Sequence, residues 1–161
     1  MKTIICGVFA TASIALTSCS SINLESERQK VQAMYAEINK AFENGDMTPA
    51  KRYIAEDFEM FITTEKGWNR VGRETFIEIF GQTVKPAGNV KNTVNDATWS
   101  VTPAMAWYKA DEVWDLGLLK KPIKRHFLTI AIFEKRNDQW YMVHLHHSYI
   151  PPDSVKPGSN K

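Results

Sequence analysis

The sequence predicts an α+β domain in which three N-terminal helices pack on an antiparallel sheet that curls around them. Two observations carry this. Apolar residues recur at helical spacing through the first half of the chain. Four long segments rich in β-branched and aromatic residues then follow one another between residues 90 and 149, with no helical segment between them. Helices first and a meander afterwards is the order of an α+β fold, whereas alternating βαβ units would give a parallel sheet.

Val31, Met34, Tyr35, Ile38 and Phe42 form one helical face, with Ser26 and Gln29 placed as a capping box and Asn44-Gly45 as the stop. Thr48-Pro49 reads as the start of a short second helix, with Tyr53 and Ile54 facing inward. A strand is expected over residues 58–63 and a loop over 64–71 containing Gly67 and Trp68. A third helix over 72–80 follows from the spacing of Phe76, Ile79 and Phe80. Residues 90–101, 105–115, 124–135 and 140–149 are the four strands, separated by Thr102-Pro103, by residues 117–122 and by Asn137-Asp138. Beyond Pro151-Pro152 the chain is polar and is expected to be disordered, over 151–161.

The N-terminus has its own logic. Lys2, an apolar run from Ile4 to Leu16 and the small residues Thr17-Ser18 read as a secretory signal, too short to span a bilayer. Leu16-Thr-Ser-Cys19 also looks like a bacterial lipobox, in which Cys19 is lipidated and becomes the first mature residue, ordinary signal cleavage being the alternative. The expected organisation is a signal peptide over 1–18, a lipidated tether over 19–26 and one domain over 27–150. Such a protein is anchored in the bacterial cell envelope, facing the periplasm. Ser20 lacks the acidic inner-membrane retention signal known from some bacteria, which favours the outer membrane.

With Cys6 discarded, the mature chain has no cysteine pair, and its stability must come from packing. The sequence has 8 Phe, 5 Trp and 5 Tyr, ample for one core. Losing residues 1–18 removes one of the 20 Lys and Arg residues and none of the 18 Asp and Glu, so the formal charge falls from +2 to about +1. That balance gives no reason to expect nucleic acid as a partner.

The segment Trp140-Tyr-Met-Val-His-Leu-His-His-Ser148, with Glu43-Asn-Gly-Asp46, Ala55-Glu-Asp-Phe58 and Gly72-Arg-Glu74 in the same order and spacing, resembles the nuclear transport factor 2-like (NTF2-like) superfamily. That superfamily includes SnoaL-like proteins and ketosteroid isomerases. The resemblance covers residues 27–150 and implies a cone-shaped domain, its strongly bent sheet and helices enclosing one deep apolar pocket. Dimerisation through the outer sheet face is common in it. Function does not follow, because the same cone hosts enzymes, ligand binders and assembly modules.

Ketosteroid isomerases need a carboxylate base and an oxyanion hole of a tyrosine and a neutral aspartic acid. The matching positions here hold Ile38 for the tyrosine, Ile62 for the base and Ala131 for the acid, so all three roles are vacant. His147 is the remaining candidate general acid or base for lyase, cyclase or isomerase chemistry, if it faces the pocket with Val143 and Leu145. Placing Ala131 and His147 on one face requires a bulged or three-residue hairpin near Asn137. His144 and His146 then take the outer face with Trp140 and Met142; two imidazoles alone are not a metal site, and neither metal nor cofactor is expected.

On the strand over 105–115, Trp107, Lys109 and Asp111 share one face and Tyr108, Glu112 and Trp114 the other; either set could meet the pocket. Trp68 is placed to lid the pocket mouth, and Arg73 and Glu74 read as solvated first-turn residues. The expected pocket is walled by Phe127, Thr129, Ala131, Phe133, Val143, Leu145 and His147 and closed by Tyr35 and Ile38, with Trp107 and Asp111 as further candidates. The expected activity is binding of a small, largely apolar molecule, or dimeric assembly; an enzyme using His147 is the alternative.

Overall fold

The computed structural model describes residues 23–64, 66–84, 90–116 and 123–152. The expected leader, Cys19 and the tail from residue 153 lie outside these. The elements are α1 (Leu24–Glu43), β1 (Ile54–Thr64), β2 (Gly67–Gly72), α2 (Arg73–Val84), β3 (Val90–Val101), β4 (Met105–Leu116), β5 (Ile123–Arg136) and β6 (Gln139–Ile150). One curved six-stranded sheet runs in the order β2-β1-β6-β5-β4-β3. Both helices pack on its concave side.

Asn23 starts α1, its Oδ1 accepting from the N–H groups of Glu25 and Ser26 at 3.1 Å. The helix therefore begins three residues before the expected Ser26 cap and takes in part of the expected tether. It ends where Gly45 adopts φ 66°. Val31, Met34, Tyr35, Ile38, Ala41 and Phe42 are its buried face.

The expected second helix is only a turn ending in a 3-10 segment, Lys51–Tyr53, so two helices are present among the described residues and not three. The chain has no room for more, because Ile54 already pairs with Met142 of β6. Arg73 fixes this turn, its Nε donating to the Ile54 carbonyl at 3.0 Å and its Nη2 to that of Lys51 at 3.1 Å. Arg73 is thus a structural clamp between α2 and β1, in contrast to the solvated residue expected.

The expected loop after β1 is mostly strand: β2 pairs antiparallel with β1 from Glu59↔Gly72 to Thr64↔Gly67. Gly67, at φ 114°, supplies the backbone conformation that other residues resist. The sheet is not wholly antiparallel either, since β1 and β6 run parallel.

Asn137 and Asp138, at φ 51° and 64°, make a two-residue turn between β5 and β6 of the primed kind that suits strand twist. The extra residue lies further on: Phe133 pairs with Met142 but Ile132 with His144, leaving Val143 as a bulge. Before the bulge Trp140 and Met142 point inward and are buried; after it Leu145 and His147 do. This corrects the expected outward placing of Trp140 and Met142, while Ala131, Leu145 and His147 still share the concave face.

Candidate functional site

The concave side divides into a filled end and an open one. At the filled end Tyr35 sits 4.9 Å from Tyr108, 5.4 Å from Phe133 and 5.8 Å from Trp99, ring centre to ring centre. Phe133 and Ala131 have no exposed surface. Ala131 and Phe133, expected to wall a pocket, are solid core, and Tyr35, expected to close it, packs among these rings and borders only a void of about 20 Å³. Thr129 is equally buried and donates its Oγ1 proton to Glu112 at 2.9 Å.

Glu112 lies wholly inside the protein. Its Oε1 accepts from the Tyr108 hydroxyl at 2.8 Å, and its Oε2 from Trp114 Nε1 at 3.1 Å as well as from Thr129. A carboxylate buried with three donors has most of its lone-pair sites filled from within the core, which offsets the cost of burying it. Burial and the Glu112 carboxylate push the Tyr108 hydroxyl well above its usual range, and burial with Glu112 does the same to Tyr35. Both phenols stay protonated, and Tyr108 donates to Glu112.

At the open end a cavity of about 190 Å³ is lined by Phe42, Met60, Ile62, Val71, Ile79, Phe80, Trp114, Phe127 and His147. Among the described residues lining it, His147 supplies the one ionisable side chain. Ile38 and Leu145 border only an adjoining void of about 20 Å³, room for a single water. The strand register explains the grouping: Ile62 of β1 and Thr129 of β5 flank His147 on either side. Alternation then brings Met60 and Phe127 to the same face, while α2 lowers Ile79 and Phe80 over them.

His147 is 6% exposed. Its ring stands 5.2 Å from that of Phe127 and 6.5 Å from that of Trp114, and no described side chain hydrogen-bonds it. Burial, with a smaller push from His146, lowers its pKa to about 4, so it is neutral near pH 7. A neutral imidazole can donate one hydrogen bond and accept one. Without a carboxylate to orient it or hold its charge, it is a poor general base.

Ile62 and Phe127 also border a wider, more open vestibule of about 330 Å³, lined further by Thr63, Thr64, Lys66, Arg125 and Tyr149. The Arg125 guanidinium lies 4.9 Å over the Tyr149 ring.

Several expected site residues are elsewhere. Trp107 is 44% exposed on the convex face. Asp111 is on that face too, its Oδ1 2.7 Å from His126 Nε2 and accepting from Asn95 Nδ2 at 2.8 Å. The inward set on β4 is Tyr108, Glu112 and Trp114. Trp68 is no lid: it is 69% exposed, and its ring lies 6.0 Å from Phe61, whose own ring is 5.6 Å from His144 on the convex side. Val143, the bulge residue, lines neither cavity. Among the described residues no three His, Cys, Asp or Glu side chains stand together as metal ligands.

The sequence profile of the SnoaL-like domain matches residues 31–152. The chain belongs to the SnoaL-like domain family. Solved structures agree on the fold. An NTF2-like protein with a cystatin-like fold from Novosphingobium aromaticivorans has TM-score 0.66 at 16% identity, covering 81% of this chain and 86% of that one. A candidate dehydratase of the NTF2-like family from Streptomyces avermitilis has TM-score 0.64 at 16% identity, covering 80% and 99%. A candidate calcium/calmodulin-dependent protein kinase II association domain from Xanthomonas campestris has TM-score 0.63 at 19% identity, covering 91% and 99%. No curated protein matches the chain in sequence. At these identities the likeness is one of fold, and this SnoaL-like domain's chemistry rests on its own residues.

Proposed function

We propose that this SnoaL-like protein binds a small, largely apolar molecule in the concave cavity, as a lipid-anchored protein of the bacterial envelope. The supporting observation is the cavity itself: about 190 Å³, walled by aliphatic and aromatic side chains, with His147 the one ionisable residue among the described wall residues. Engineered apolar cavities of about 150 Å³ hold benzene, so a single ring or a short acyl chain fits. Such a ligand gains roughly 25 cal/mol for each Å² of apolar surface it buries, and His147 adds one directional hydrogen bond.

The alternative, a lyase, cyclase or isomerase using His147, is favoured by the presence of an imidazole in the cavity. It is opposed by the lack of any described polar partner for that ring and by its low pKa. Exposed Trp107, Leu128 and Ile130 on the convex sheet face suit a homodimer contact. Lipidation of Cys19 accounts for the lipobox-like Leu16–Cys19.

Native mass spectrometry of the protein purified from its own envelope tests the proposal. A retained small organic molecule and an acyl-modified N-terminus at Cys19 are expected. An unmodified N-terminus removes the anchor, and lyase, cyclase or isomerase turnover that His147→Leu abolishes would replace binding with catalysis.

A further inference from the structure

The vestibule differs from the inner cavity in its charge. Alternation along β5 places Arg125 two residues from Phe127 on the concave face, and along β6 Tyr149 two residues from His147. Phe127 and Tyr149 are themselves a cross-strand pair. Thr64 and Lys66, at the end of the β1–β2 hairpin, close the other side. Among the described residues lining the vestibule, two carry cationic side chains and none a carboxylate. Ile62 and Phe127 border both spaces, so the basic mouth adjoins the inner cavity at these two side chains.

From this geometry we infer that the ligand is an apolar carboxylate, its ring or acyl chain seated between Ile62 and Phe127 and its headgroup at Lys66 and Arg125. This rests on the cavity-binding reading above and adds the ligand's charge and direction. The reverse orientation is disfavoured by simple electrostatics. A carboxylate pushed inward would lose its hydration against Phe42, Met60 and Phe80, with only a neutral imidazole to meet it. At the mouth it keeps water on one side and meets an ammonium and a guanidinium on the other, and a guanidinium held over an aromatic ring is already oriented for a carboxylate.

The test compares octanoate with 1-octanol by isothermal titration calorimetry on the intact protein. The comparison is made in the wild type, Lys66→Gln, Arg125→Gln and the cavity-filling Val71→Trp. Octanoate is expected to bind about tenfold more tightly than 1-octanol at low salt, the size of one partly solvated charge-assisted contact. Each charge-removing variant should lower octanoate affinity about three- to tenfold and leave 1-octanol unchanged, while Val71→Trp should abolish both. Equal affinity for the two compounds in the wild type overturns the inference and leaves the cavity reading standing. A preference for octanoate that survives both charge-removing variants overturns the assignment to Lys66 and Arg125. Binding of neither compound overturns the inference and the cavity reading together.

Discussion

Trp114 joins the buried carboxylate to the concave cavity: its Nε1 proton goes to Glu112 Oε2 at 3.1 Å while its ring forms part of the cavity wall. The hydrogen bond fixes the plane of the indole, and the indole in turn packs against Phe42 at 4.7 Å between ring centres. Glu112 therefore shapes the cavity without lining it.

Glu112→Leu should strand the Tyr108 hydroxyl, Trp114 Nε1 and the Thr129 hydroxyl inside the core. Unsatisfied buried groups cost about 1–3 kcal/mol each, so a loss of at least about 3 kcal/mol is expected in urea unfolding. Glu112→Gln keeps an acceptor and should lose less. An unchanged urea midpoint for the Leu variant would show the three donors to be satisfied by water.

Folding should weaken with acid through His147. Its pKa is about 4 in the folded protein against an ordinary 6.5, so the unfolded chain binds more protons between those values. Stability is complete above pH 6.5 and declines towards pH 4, by at most on the order of 3 kcal/mol for a shift of this size. His144, lowered chiefly by burial, acts in the same direction. His147→Phe should flatten the curve between pH 6.5 and 4; an unaltered slope would assign the dependence to other groups.

A second acid-sensitive link lies lower on the pH scale. Glu27 is buried in the first turn of α1, where it accepts from Lys30 at 2.8 Å, Trp140 Nε1 at 2.9 Å and Lys135 at 3.0 Å. These partners, Lys30 foremost, hold its pKa near 2, so this stabilisation is present above about pH 4.5 and disappears towards pH 2. Glu27→Ala should cost about 1–3 kcal/mol at pH 7 and free the start of α1 from β6. Amide hydrogen exchange should then speed up over residues 24–30 first; uniform acceleration would contradict that local role.

The convex face makes a separate claim. If Trp107, Leu128 and Ile130 form a homodimer contact, Ile130→Glu should halve the mass seen by sedimentation equilibrium, because a buried unpaired charge is costly. In a monomer this exposed position tolerates the change. A mass that does not differ between wild type and variant would remove the dimer from the account.

How far the sequence could be read follows from what each residue depends on. β3 was legible to its ends because a long β-rich stretch with clear breaks on both sides leaves few alternatives. β2 was missed because Gly67, Asn69 and Gly72 carry turn chemistry, and only pairing with β1 makes that stretch a strand. On β4 the inward face carries Glu112 while the outward one carries Trp107, so hydrophobicity alone could not choose between them. Trp140 and Met142 were placed wrongly because the bulge at Val143 shifts the alternation, a backbone event with no signature in residue type. Of the side chains expected to wall the apolar cavity, Phe127 and His147 do line it, while the end nearer Ala131 and Phe133 is filled. There Tyr35 and Phe133 pack on one another, and α2 supplies wall at the open end.

The most direct test is imidazole and indole NMR of the intact protein titrated with p-cresol, an aromatic ring of the right size bearing one hydroxyl. The account predicts saturable shifts of the His147 ring and Trp114 Nε1 signals. Affinity should drop no more than about tenfold in His147→Leu, the worth of one neutral hydrogen bond, and binding should vanish in Val71→Trp. Signals that stay put at saturating p-cresol, or shifts that persist unchanged in Val71→Trp, would contradict a ligand cavity between Ile62, Phe127 and α2.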